Sequence, residues 1–373
     1  MGNVCTRTLG STQQRRFRLA FAFVLLYLAK KLLGPTLMSM LLRWHYARTA
    51  ETPRLIYRKT PHNRKLLSHC VTMTQTKYYP PWRLFNGHLQ TIKFASDNRG
   101  PHINYERQLL DMPDGGVVSL DWALRPRHLH SIKEGDGLSD GTDSSWIEAQ
   151  LYCTAYTEDL RFVLEQLAKK YNFVHEAFVA VGFSMGSNVL VKYLGEEVSE
   201  NLSSSLFNRF AYDKALNRSM RTLFFEKSNA AEKFEGYPGL DMEAVRASRT
   251  VGEFDDTLTS VLFNYKNADE FYEDASSDKK LRAVKVPLLC INADDDPISV
   301  RSAIPSRALV ESCPTVILCV TKSGGHLAYY ESSLGEEAGG IARQKTPTMW
   351  TAKPIAEFAE AVRLSKVKVA KGA

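Results

Sequence analysis

Ala177-Phe178-Val179-Ala180-Val181, then Gly182-Phe183-Ser184-Met185-Gly186, then Ser187-Asn188-Val189-Leu190-Val191-Lys192-Tyr193-Leu194 reads as a strand, a tight turn and a helix. Five consecutive apolar residues, three of them Phe or Val, suit a strand buried on both faces of a parallel sheet. Val189, Leu190, Tyr193 and Leu194 recur at helical spacing, so Ser187 to Glu197 predicts a helix. The pentapeptide between them is G-x-S-x-G, a nucleophile elbow when it joins a strand to a helix. The turn forces the serine into a strained conformation, and side chains at either flanking glycine are expected to collide with strand or helix. Ser184 Oγ is then lifted above the sheet at a helix N-terminus, where the backbone N–H of Met185 faces a developing oxyanion. The fold class expected from this stretch is α/β.

A serine hydroxyl needs a base, and the base needs an orienting carboxylate. Downstream stand two more buried-strand runs, Val286 to Ile291 and Val316 to Val320. Asn292-Ala293-Asp294-Asp295-Asp296-Pro297 follows the first, and Ser323-Gly324-Gly325-His326-Leu327 follows the second. Groups at the C-terminal ends of parallel strands share the sheet edge where open α/β folds place their sites. Asp296, beside Pro297, is the expected orienter and His326 the expected base. The acidic triplet also reads as a divalent-metal site or a solvated turn, but no histidines stand at ligand spacing, so no metal is assigned.

Working outward, Tyr105 to Met112 and Val117 to Leu124 flank Pro113-Asp114-Gly115-Gly116 and predict a β-hairpin. Arg125 to Ser145 turns to His, Gly, Asp and Ser and reads as loop. Thr157 reads as the N-cap of an amphipathic helix to about Tyr171. Residues 200–280 offer helical stretches such as Asp255 to Tyr265 and suit a helical cap. A final helix is predicted from Pro354 to Leu364. The expected organisation is a membrane-associating segment at 1–48, a linker and approach to the domain at 49–104, a catalytic domain at 105–364 and a basic tail at 365–373.

The chain has 373 residues, 44% hydrophobic and 24% charged, which suits one large globular domain. Its net charge of +7 is concentrated toward the two ends, an arrangement that favours a membrane surface over nucleic acid. Nucleic-acid binding is further disfavoured because the basic residues are not interleaved with a stacking platform. The six cysteines show no paired metal spacing and are expected to be free thiols. Met1-Gly2-Asn3-Val4-Cys5-Thr6 fits myristoylation of Gly2, with Cys5 open to palmitoylation and Arg15, Arg16 and Arg18 as a basic supplement. The apolar runs Leu19 to Ala29 and Leu32 to Leu42 are each too short to span a bilayer. An interfacial helix pair, one tilted signal-anchor and a cleaved signal all stay open, with the cytosolic face favoured. If the segment spans, the sequons at Asn201 and Asn217 fall in the lumen and are open to glycosylation.

Phe85-Asn86-Gly87-His88-Leu89-Gln90-Thr91, Leu120-Asp121-Trp122, Tyr156-Thr157-Glu158-Asp159-Leu160, the elbow, Glu253-Phe254-Asp255, Asp296-Pro297 and Gly324-Gly325-His326 together resemble the fourth AB-hydrolase family. That family is a branch of the α/β-hydrolases that includes membrane-anchored lipases and medium-chain ethyl ester synthases and esterases. The resemblance implies an α/β-hydrolase fold with a mostly parallel central sheet and a Ser184, Asp296, His326 triad. It also implies lipid carboxylic esters as substrates, acylglycerols or phospholipids, with acyl transfer to alcohols as a further outcome, and calls for no cofactor. The chain departs from the family between the hairpin and the helix before the elbow. A strand, an oxyanion loop, a helix and a second strand belong there, but only Arg125 to Tyr156 is available. A second expected strand is replaced by Glu200-Asn201-Leu202-Ser203-Ser204-Ser205. Two or three central strands are therefore expected to be missing, as from loss of internal segments, and Gly137-Leu138-Ser139 is the remnant that offers Leu138 as a second oxyanion donor. Buried orphan backbone groups cost about 1–3 kcal/mol each, so a catalytically inactive, membrane-bound interaction protein is the rival expectation.

Overall fold

In the computed structural model, the described residues are 31, 37, 40–97, 105–113, 116–123, 155–171, 178–196, 213–227, 230–332 and 348–370. Gly2, Cys5, Leu138 and Asn201 lie outside them, as do most of the two stretches from which strands are expected to be missing.

Among the described residues the core sheet has three strands, in the order β1 (Arg54–Tyr57), β5 (Val316–Thr321), β4 (Leu288–Ala293). β4 and β5 run parallel, with Cys290 opposite Leu318, and β1 pairs antiparallel with β5, Ile56 opposite Leu318. All six β5 residues are buried. Side-chain alternation explains why that run is uniformly apolar. Ile317 and Cys319 enter one core layer with Leu66, Met73, Tyr78, Tyr329 and Trp350. Val316, Leu318 and Val320 enter the opposite layer with Leu281, Val284, Val310 and Cys313. Pro287 has no N–H to give a ladder, and β4 accordingly starts at Leu288, two residues later than the apolar run suggests.

Helix α1 (Pro61–Leu67) is capped by Thr60, whose hydroxyl accepts from the Asn63 N–H, and has proline in its first turn. α2 (Gly87–Ala95) is capped by Asn86 through the Leu89 N–H. Together with β1 these correct the expectation of a linker over 49–104. Leu66, Leu67, Cys70, Met73 and Tyr78 are core residues, and β1 closes one sheet edge. A four-residue strand flanked by arginine and lysine has too short a period to announce itself.

β2 (Glu106–Asp111) and β3 (Val117–Trp122) form the expected hairpin, register Leu109 to Ser119. α3 (Glu158–Lys170) begins after Thr157, but that hydroxyl does not cap it. Thr157 is buried and its Oγ1 donates instead to Glu196 Oε2 at 2.5 Å, at the end of α4 (Met185–Glu196). Phe178 to Val181, expected as a buried strand, pairs with no other strand among the described residues, and Phe178, Val179 and Val181 expose 45–48% of their surface.

Residues 213–227 and 230–262 form helices and turns around a separate core of Phe224, Phe234, Val245, Phe254 and Leu258. They open with α5 (Asp213–Thr222). Asn217 is 2% exposed and its amide donates to the Ser248 carbonyl at 2.9 Å, which corrects the expectation that its sequon is open to glycosylation. α6 (Arg307–Ser312) covers one sheet face, β6 (Tyr330–Glu331) pairs with β7 (Thr348–Met349), and α7 (Ala352–Ala370) ends the described chain. α7 outruns its predicted end at Leu364 because no glycine or proline interrupts it, so most of the expected tail is helical. Cys70, Cys290, Cys313 and Cys319 are unbridged. No helix among the described residues is long and apolar enough to cross a membrane.

Candidate active site

Ser184 sits immediately before α4 with φ of +49°, the left-handed conformation an elbow imposes on its nucleophile. The chain reverses tightly here, with Gly186 N–H bonding Phe183 O at 2.9 Å and Ser187 N–H bonding Ser184 O at 3.0 Å. A Cβ on Gly182 would lie 2.6 Å from Gly186 O and Ser187 Cα, both backbone atoms. One on Gly186 would meet nothing within 4 Å, so the expected collision holds at the first glycine and is corrected at the second. Met185 is the first residue of the helix, so its N–H has no intrahelical acceptor and lies one residue from the Ser184 hydroxyl.

The three side chains singled out in the sequence come together. Ser184 Oγ lies 2.8 Å from His326 Nε2, and His326 Nδ1 lies 2.9 Å from Asp296 Oδ2. With Nδ1 protonated and donating to the carboxylate, Nε2 is left to accept from the serine hydroxyl. The side chains of His326 and Asp296 are 13% and 9% exposed, while Ser184 faces solvent, so access is from the serine side.

Each member of the acidic triplet has a different task. Asp296 Oδ1 accepts the N–H groups of Ile298 and Ser299, both at 2.8 Å. Pro297 has no N–H, and so the two following residues close the turn and fix the carboxylate plane while Oδ2 meets the imidazole. Asp294 faces Arg54 of β1 at 3.2 Å and Arg301 at 3.5 Å. Asp295 Oδ1 accepts from the Gly325 N–H at 3.0 Å. Burial pushes the Asp295 carboxyl above the usual aspartate range, against the opposing pull of the N–H groups of Gly325, Gly324 and Gly87.

The loop that carries the histidine is held from three sides. Gly325, Leu327 and Tyr329 all have positive φ, of 61°, 66° and 41°. Tyr329 is buried beside Trp350, whose backbone N–H donates to the Tyr329 carbonyl at 2.9 Å. A Cβ on Gly324 would strike the Tyr329 ring, and one on Gly325 would lie 2.5 Å from the Gly87 carbonyl. The N-terminal end of α2 therefore abuts the loop directly.

Thr91 on α2 is the residue that sequence reasoning missed. Its buried hydroxyl donates to Gly87 O at 2.7 Å and accepts the backbone N–H of His326 at 2.9 Å. Gln90 beside it is fully buried, and its Oε1 accepts the Tyr330 N–H at 3.0 Å. The stretch Asn86 to Thr91 was visible as a motif, but nothing local in it says that it buttresses a loop some 235 positions away.

Comparison with known proteins is consistent with this geometry. The chain is 28% identical over 338 residues to a phospholipase, ABHD3, of Mus musculus, covering 77% of this chain and 81% of that protein. It is 28% identical over 229 residues to a monoacylglycerol lipase of Saccharomyces cerevisiae, covering 56% and 47% of the two chains. It is also 25% identical over 307 residues to the putative esterase YheT of Escherichia coli, covering 70% and 89%. No family model and no solved structure matches the chain. The relatives support an α/β-hydrolase family and the hydrolysis of lipid esters.

Proposed function

We propose that this chain is a membrane-associated serine hydrolase of the fourth AB-hydrolase type, cleaving carboxylic esters of lipids through Ser184, His326 and Asp296. The observation that supports this most strongly is the unbroken chain of contacts from Ser184 Oγ through the imidazole to Asp296, at 2.8 and 2.9 Å, with the serine held at positive φ. In the reaction, Ser184 Oγ attacks the ester carbonyl carbon as its proton passes to His326 Nε2. The carbonyl oxygen gains charge opposite the Met185 N–H, with the Leu138 N–H proposed as the second donor. Asp296 stabilises the imidazolium. His326 then gives its proton to the departing alkoxide, leaving an acyl-serine. Water or an alcohol, deprotonated by His326, attacks that acyl group and frees Ser184. With an alcohol the outcome is acyl transfer.

The membrane part of the reading draws on the N-terminus. Leu37, Met40, Leu41 and Trp44 are helical and 52–64% exposed, at a spacing that puts them on one face. With lipid on Gly2 and Cys5 and the neighbouring arginines, this segment would hold the domain at an anionic, cytosolic membrane face. Internal segments are proposed to be missing relative to the family. The match to the Mus musculus protein runs over 338 positions yet takes up 77% of 373 residues, which is about 287.

A fluorophosphonate probe tests the enzyme reading, since only an activated serine reacts. Stoichiometric labelling of the full chain that is lost in Ser184→Ala is the expected result. A folded protein that takes up no probe would instead favour the inactive interaction protein. Incorporation of a myristate analogue that vanishes in Gly2→Ala tests the anchor.

A further inference from the structure

A cleft of about 580 Å³ opens in the helical region, between α5 and the turn that follows Met242–Ala247. Lys214, Arg218, Arg221, Arg246 and Arg249 line it, against the carboxylate of Glu226. Lys214, Arg218 and Arg221 recur at helical spacing and so share one face of α5, where like charges repel unless something answers them. Glu243 reaches Arg246 only at 3.9 Å, and Asp213 and Glu253 are engaged by the backbone N–H groups of Val251 and Arg249. No carboxylate among the described residues lies within ion-pair distance of the Lys214, Arg218 or Arg249 side chains.

The floor is built rather than incidental. Arg221 Nη1 and the buried Asn217 amide converge on the Ser248 carbonyl at 3.1 and 2.9 Å, and the Ser248 hydroxyl donates to Asn217 Oδ1 at 3.3 Å. This fixes the Arg221 guanidinium, whose Nε is nonetheless buried without an acceptor.

We propose that the cleft is a binding site for a phosphate group, carried on a lipid headgroup or present as free phosphate. A phosphate offers several oxygens and up to two charges, which matches converging guanidinium forks better than one carboxylate does. Phe225, the aromatic wall, is covered by the Arg246 guanidinium at 4.1 Å, which leaves no stacking platform for nucleic acid. The inference needs nothing from Ser184.

The test uses full-length Ser184→Ala protein, so that no probe is consumed, titrated calorimetrically with inorganic phosphate and with short-chain phosphatidic acid below its micellar concentration. Binding of at least one probe is expected, weakened on the order of tenfold or more in Arg218→Ala/Arg249→Ala and unchanged in Lys285→Ala. Both arginines are exposed, so an unchanged melting temperature should accompany the loss. Tighter binding of phosphatidic acid identifies a headgroup site, and equal binding identifies a site for phosphate itself. Binding of neither probe, or equal binding by the double variant and its parent, overturns the proposal.

Discussion

Thr91→Val is the most informative perturbation of the site, because it removes one hydroxyl and almost no volume. The hydroxyl accepts the His326 N–H at 2.9 Å in a buried position, and valine leaves that donor without a partner. The companion bond to Gly87 O matters less, since that carbonyl keeps its place in the first turn of α2. An orphaned buried N–H costs about 1–3 kcal/mol. If the loop relaxes to relieve it, the imidazole moves off the Ser184 line, and the same energy appears in the barrier as roughly a 5- to 150-fold slower reaction. If the loop holds, the cost appears in stability instead. Second-order rates of fluorophosphonate labelling and urea unfolding, measured together on Thr91→Val and Thr91→Ser, separate the two. Thr91→Ser restores the acceptor and should recover most of either loss. A valine variant that labels within twofold of the parent and unfolds at the same urea concentration refutes the argument.

Other expectations follow from the same geometry. Asp296→Asn should slow labelling and ester hydrolysis on the order of 10⁴-fold, because the amide favours the wrong imidazole tautomer. Asp294→Asn, which disturbs only ion pairs to exposed arginines, should cost no more than about 1 kcal/mol and leave the rate within severalfold; similar rates for the two variants would contradict the assignment of Asp296. Gly182→Ala should abolish labelling or folding and Gly186→Ala should be tolerated, as read by labelling and circular dichroism; the reverse order would show that the contacts at the elbow are misjudged. Asp295 has its carboxyl raised by burial in the fold, so its contribution to stability is greatest in acid and fades as pH climbs through the folded-state value. The unfolding free energy of the parent minus that of Asp295→Asn should therefore fall with rising pH and then level off, and a difference that grows with pH counts against it.

The candidate site was far more legible than the frame around it. G-x-S-x-G, Asp296-Pro297 and Gly324-Gly325-His326 each carry a local steric or hydrogen-bonding reason for their residues, and those reasons are written in short windows. β4 and β5 were legible for the same cause, since a strand buried on both faces must be apolar throughout. β1 was not, because four residues with half their pattern set by antiparallel pairing to β5 look like any basic connector. Phe178 to Val181 has the composition of an interior strand, but composition records what a segment prefers and not its pairing, and among the described residues no strand pairs with it. Thr91 was missed because its partner lies on another segment, which no periodicity reports.

A side chain at Gly87 would run into the Asp295 carbonyl and one at Gly325 into the Gly87 carbonyl, so these three segments meet backbone to backbone. Those contacts join chain positions more than 200 residues apart, so the His326 loop reaches its place beside Ser184 only as these segments dock on one another. Probe uptake by Ser184 then counts correctly folded molecules, and during refolding it should rise only with the last cooperative phase.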